Sequence, residues 1–245
     1  MKLLAFETAT EACSVAVYDD GRVLERFEIA PRRHAELALP WAEALLAEAG
    51  VARGQLDAIA VGRGPGAFTG VRLAIALAQG IALALERPVV ALSSLEVLAM
   101  RADVAPGTPV LAAIDARMGE VYSQAFVREA QGLRPLAPAH VGAPDVIELP
   151  GDATGWAGVG TGFSAAEAAL QTRLAPRFST VDALALPRAG DLARLAAAAY
   201  ARGEAVAPER VEPAYLRDNV ALTLVEQVAL RAARRAAEPG APDAP

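Results

Sequence analysis

The sequence predicts an α/β protein made of two mixed-sheet halves, each ordered βββαβαβα. Its first segment, "LLAFETATEACSVAVYDDGRVLERFEI", reads as strand, short polar loop, strand, "DDG" turn and strand, with period-two alternation in the second and third strands. Helical and strand-like patterns then alternate. "HAELALPWAEALLAEAG" has helical spacing and ends at Gly50, a residue suited to a left-handed cap, and "LDAIAVG" is a short apolar run of strand type. The Gly-rich loop "GRGPGAFTGVR", residues 62 to 72, leads into a helix from about Phe68 to Leu85. "RPVVALS" is a buried strand and "SLEVLAMRA" a further helix.

From Pro109 the order starts again. "VLAAIDARMGEVYSQAFV" is strand, turn, strand, with a third strand around "LRPLAPAHV"; "GWAGVGTGF", "SAAEAALQTRL", "FSTVDALAL" and "AGDLARLAAAAYARG" supply strand, helix, strand and helix. Overlaying the halves puts Glu7 opposite Asp115, each an acid closing its first strand. A repeated meander followed by crossover helices is the plan of the ribonuclease-H-like, actin-like ATPase fold. The expected organisation is therefore residues 1–104 as the first half, 105–220 as the second, and 221–245 as a helix and disordered tail, since "AAEPGAPDAP" has no periodicity.

Composition removes several function classes. The net charge of -6, with no dense Lys/Arg cluster before "LRAARRAA", leaves no basic face for phosphate neutralisation, so any contact with nucleic acid is expected to run through a partner. The single cysteine, Cys13, cannot form an internal disulfide or a zinc cage and fits a reducing compartment. Glu7 interrupts the N-terminal apolar run before it could serve as a signal core, and "LAIALAQGIALAL" is broken by Gln79 and closed by Glu86, Arg87 and Pro88. The expectation is a cytoplasmic protein with that run as a buried helix and no membrane contact.

The loop at 62 to 72 has two readings. Strand, Gly-rich turn and helix N-terminus aim free N–H groups at one point, an anion site; alternatively the glycines allow a tight turn and close backbone approach. The Gly-Lys-Ser/Thr ending of a phosphate loop is missing, which favours packing. Glu7, Thr8, Gly64, Gly66, Asp115, Gly160 and Gly162 are the candidate nucleotide or anion residues, set against the reading that acids at strand ends cap turns and Gly-x-Gly turns punctuate. Gly70, Ala74, Ala78 and Ala82 recur every fourth residue, a smooth ridge able to seat a helix from this domain or from a partner. Cys13 lies in an apolar strand and is read as structural. His34 and His140 stand in different halves, and no metal cluster is expected.

"GRGPGAFTGVR", "ETATEACSVAVYDDG", "AAIDARMGEVY", "GVGTGF" and "PAYLRDNVA", in that family's order, resemble the TsaB (YeaZ) family of tRNA threonylcarbamoyladenosine biosynthesis proteins over nearly the whole chain to about Ala221. Two positions depart from the family pattern: Glu7 stands where aspartate is usual and Ala67 where serine is frequent. The resemblance implies a heterodimer with the larger paralogue TsaD through helices of the first half. It thereby assigns the ridge to a partner, with Leu37, Trp41 and Leu45 of the preceding helix as its companions. A homodimer through the same helices is the other pairing they allow, and arginine at Ala74 or Ala78 is expected to abolish partner binding while the fold survives.

TsaD carries two histidines four residues apart on one helix face; Ser94 and Leu98 occupy those places here, so a metallopeptidase reading is set aside. The expected function is a non-catalytic scaffold that organises TsaD, with the ATPase TsaE as third member, touching tRNA only indirectly. No cofactor is expected on the chain alone, and ATP or ADP with Mg belongs to the complex. The alternative is an active actin-like ATP-dependent phosphotransferase using Glu7, Asp115 and the glycine turns.

Overall fold

Alternation and burial account for the first sheet. The computed structural model describes residues 1–217. β1 (Lys2–Glu7), β2 (Ala12–Asp19) and β3 (Arg22–Ile29) form an antiparallel meander, and β4 (Ala58–Gly62) and β5 (Val89–Leu92) extend it in parallel, giving the order β3-β2-β1-β4-β5. β1 and β4 are apolar on both faces and lie inside the sheet, as strands covered from two sides must. α1 (His34–Ala49) and α2 (Phe68–Leu85) cover one face, where Leu45, Ala74, Ala78 and Ala82 meet Phe6, Val15 and Ile59. α1 ends as predicted, with Gly50 in the left-handed conformation at φ 70°.

The second sheet repeats the plan. β6 (Pro109–Arg117), β7 (Glu120–Glu129) and β8 (Gly132–Pro135) are antiparallel, and β10 (Trp156–Val159) and β11 (Phe178–Asp182) add in parallel, in the order β11-β10-β6-β7-β8. A short β9 (His140–Gly142) also pairs with β7. One predicted element is missing. Between β8 and β10, where the first half has α1, the described residues hold β9 and a one-turn 3-10 segment at Pro144–Val146, so this half runs ββββ, then β10, α4 (Ala165–Leu174), β11 and α5. Pro135, Pro138, Pro144 and Pro150 punctuate that stretch and deny it a helix.

The terminal helices of the two halves are exchanged. α3 (Ser94–Ala99) follows the first sheet in sequence, yet Leu95 and Leu98 pack with Val110, Ala112 and Phe126 of the second. α5 (Ala189–Ala201) follows the second sheet, yet Leu192, Ala193 and Ala196 pack on Leu3, Ala5 and Ala60 of the first. The sequence boundary near residue 104 thus separates the sheets but not the helices that cover them. The segment 221–245, read as helix and tail, lies outside the described residues.

The start of α5 is capped from the other half. Its N-cap, Arg188, makes no side-chain cap bond; instead the Ala189 N–H donates to Ser14 Oγ at 2.9 Å and the Gly190 N–H to Glu25 Oε1 at 2.9 Å. The Ser14 hydroxyl donates to that same carboxylate at 2.8 Å. Ser14→Ala strands a buried N–H and should cost about 1 to 2 kcal/mol in urea unfolding; an unchanged midpoint would count against the cap.

Candidate functional site and partner face

A cleft of about 1030 Å³ separates the halves. From the first half it is lined by the β1–β2 loop at Ala9–Glu11 and the opening turn of α2 at Phe68–Val71; from the second, by Asp115–Arg117, Thr161 and Leu184. Pro213–Arg217 adds a further wall. His34 Nε2 lies 3.0 Å from the Thr10 carbonyl, tying α1 to the loop. Of the seven predicted nucleotide or anion residues, Gly66 and Asp115 line this cleft, and Glu7, Thr8, Gly64, Gly160 and Gly162 do not.

Both candidate acids are committed elsewhere. Asp115 Oδ1 accepts the Arg117 N–H at 2.7 Å, and Oδ2 pairs with the Arg117 guanidinium at 2.8 Å. It holds the β6–β7 turn, in which Arg117 and Met118 take positive φ. Glu7 is 1% exposed. Its Oε1 accepts the Ala9 N–H at 2.9 Å and its Oε2 the Ser94 hydroxyl at 2.9 Å. Among the described residues no three His, Cys, Asp or Glu side chains gather to hold a metal ion. With one acid turned inward and the other clamped by an arginine, these residues do not fit a magnesium nucleotide.

The glycines serve close approach. A Cβ on Gly66 would stand 2.2 Å from the Ala9 carbonyl oxygen, and one on Gly70 would stand 2.0 Å from that of Thr8. The Ala67 N–H donates to Ala9 O at 2.7 Å, and the Thr8 hydroxyl to Gly70 O at 2.8 Å. The loop and the first turn of α2 are therefore locked onto the β1–β2 connection, and only Gly allows that contact.

The predicted partner ridge faces inward. Ala74, Ala78 and Ala82 are fully buried, and Gly70 is buried with them. This contradicts the expectation that arginine at Ala74 or Ala78 would spare the fold, because such a side chain would drive a charge into the core. Four-residue spacing is common to every row on a helix, so the pattern alone could not tell which row points out. The outer face carries a second small-residue row, Ala76, Gly80 and Ala84, all exposed, flanked by half-buried Leu73 and Leu77 and by Leu83 at 58% exposure. Of the α1 companions, Leu45 is buried in the core, while Leu37 and Trp41 are half-buried at its edge. α2 is long and apolar enough to cross a membrane by length and composition, but its inner row is sealed against the sheet.

Burial raises the Glu7 carboxyl from an ordinary 4.5 to about 7, and the bonds from Ala9 and Ser94 offset only part of that. The folded value lies above the unfolded one, so this group's stabilisation is complete below about pH 4.5 and is lost as pH rises through about 7. The span corresponds to about 3 kcal/mol. Glu7→Gln stays neutral throughout and should lack that decline. Urea unfolding at about pH 4 and about pH 8 compares the two; parallel loss of stability in both proteins would refute the assignment.

Comparison with known proteins converges on one family. The family model described as TsaD, tRNA N6-adenosine threonylcarbamoyltransferase, matches residues 27–224. A relative from Escherichia coli strain K12, named tRNA threonylcarbamoyladenosine biosynthesis protein TsaB, is 42% identical over 229 residues, spanning 90% of this chain and 96% of that protein. The Haemophilus influenzae protein of the same name is 36% identical over 231 residues, spanning 90% and 95%. A crystal structure from Pseudomonas aeruginosa, described as an uncharacterized protein with similarity to peptidase YeaZ, superposes with a TM-score of 0.82 at 47% identity, over 88% of this chain and 99% of that one. A second structure, titled YeaZ from Pseudomonas aeruginosa, gives 0.79 at 46% identity with the same coverage. The relatives above that match over nearly their full length are named TsaB or YeaZ, and the chain belongs to the TsaB (YeaZ) family of tRNA threonylcarbamoyladenosine biosynthesis proteins.

Proposed function

We propose that this protein is a non-catalytic organising subunit in the synthesis of threonylcarbamoyladenosine in tRNA, and that it docks the outer face of α1 and α2 on the catalytic paralogue TsaD. The observation that carries this reading is the exposed row Ala76, Gly80 and Ala84, a small-residue track bordered by leucines on which another helix can approach closely. Arg72 is the one charged residue within α2. The commitment of Glu7 and Asp115 to internal bonds supports a supporting rather than a catalytic role.

In this reading TsaE completes the assembly, the partners handle the tRNA in the cytoplasm, and ATP or ADP with Mg is taken up by the assembled complex. The net charge of -6 is in keeping with tRNA being held elsewhere. In the isolated chain the same face is available to a second copy.

Purified components test the proposal directly. Modification of tRNA should require this chain, and full activity in its absence would overturn the role. Ala76→Arg should abolish co-elution with TsaD on size exclusion while changing unfolding free energy by less than about 0.5 kcal/mol, as surface substitutions do. Undiminished co-elution of that variant would remove α2 from the interface.

A further inference from the structure

After α5 the chain does not leave the surface but runs back across the molecule. Val206 pairs with Val89 at the edge of β5, through hydrogen bonds of 2.8 and 2.9 Å. Gln79 of α2 donates to the carbonyls of Pro208 at 2.9 Å and Val211 at 3.3 Å, and Val211 is buried in the first core. The Ala214 N–H donates to Arg63 O at 2.8 Å, and the Arg72 guanidinium, stacked 3.4 Å from the Phe68 ring centre, donates to the Tyr215 hydroxyl. All of these anchors belong to the first half. Arg217 then crosses to the second, donating to the Ala116 carbonyl at 3.3 Å and pairing with Glu120.

We infer that residues 204–217 form a strap that holds the cleft closed, with the Arg217–Glu120 ion pair as its latch. Three features lead there. Pro213–Arg217 lines the cleft beside the β6–β7 turn, which is itself a cleft wall. Among the described residues, every polar contact from the strap to the second sheet and its turns is made by Arg217, so one side chain carries that link. The halves are otherwise joined, among the described residues, mainly through the exchanged α3 and α5 and the two chain crossings beside them, an arrangement that permits hinge motion about those crossings. The latch is partly exposed, with 21% and 38% of its side chains open to solvent, so salt weakens it. The inference concerns the free chain and does not depend on the partner proposed above.

The test places spin labels on Ala35→Cys and Leu184→Cys, which line the cleft from opposite halves. Cys13 is fully buried, with burial pushing its thiol up to about 11, so it stays unlabelled. Electron spin resonance should give one narrow separation for the labelled chain. Arg217→Ala and Glu120→Ala should each lengthen and broaden it, by several ångströms, with melting curves still cooperative. Raising salt to about 1 M should broaden the unmodified latch in the same direction and leave Arg217→Ala unchanged. Identical separations in all variants would overturn the strap, and opening in Arg217→Ala without opening in Glu120→Ala would overturn the ion pair as its latch.

Discussion

The arrangement depends on a helix docked far from its own sheet. α5 enters the groove of the first sheet with its opening N–H groups bonded to Ser14 and Glu25, residues more than 160 positions earlier. Those bonds fix both where α5 starts and how it is turned, and Arg188 adds a third tie by lying 4.1 Å above the Phe27 ring while pairing with Glu25. Hydrophobic burial of Leu192, Ala193 and Ala196 supplies the attraction, which has no direction of its own; the cap supplies direction. With α3 placed reciprocally on the second sheet, neither half has a complete core alone.

The two sheets share one framework, but matching positions in them do different things. Glu7 closes β1, whereas β6 runs past Asp115 to Arg117; the first acid is sealed under Ser94 and the second braces a surface turn. The sheets keep the same strand order, while among the described residues the second half has no helix corresponding to α1. α1 and the outer side of α2 therefore form a surface that the described part of the second half does not reproduce. Symmetry in the backbone therefore coexists with asymmetry in what each half offers to others.

The succession of strands along the first half, α2 and α5 were legible in the sequence because period-two and helical patterns are local properties, and the boundaries Phe68 and Leu85 fall where the pattern put them. The helix exchange was not, since an apolar helix carries no mark of which sheet it will cover. The same limit inverted the ridge on α2: Ala74 and Ala76 look alike in a list of residues, and only the position of the sheet separates them. The lining role of Pro213–Arg217 was hidden for a different reason. That stretch has no periodicity, and its order comes from scattered bonds to Arg63, Arg72 and Glu120, partners that no short-range pattern connects.

α2 thus answers to two demands on one rod. Substitutions along Ala74, Ala78 and Ala82 are screened by whether the chain folds, whereas those along Ala76, Gly80 and Ala84 are free of that screen and meet whatever the outside imposes. The two rows are interleaved at every second residue, so variation in this helix should be sorted by facing direction and never by distance along the chain. A drifting population could rewrite the outer row without first finding a new way to stay folded.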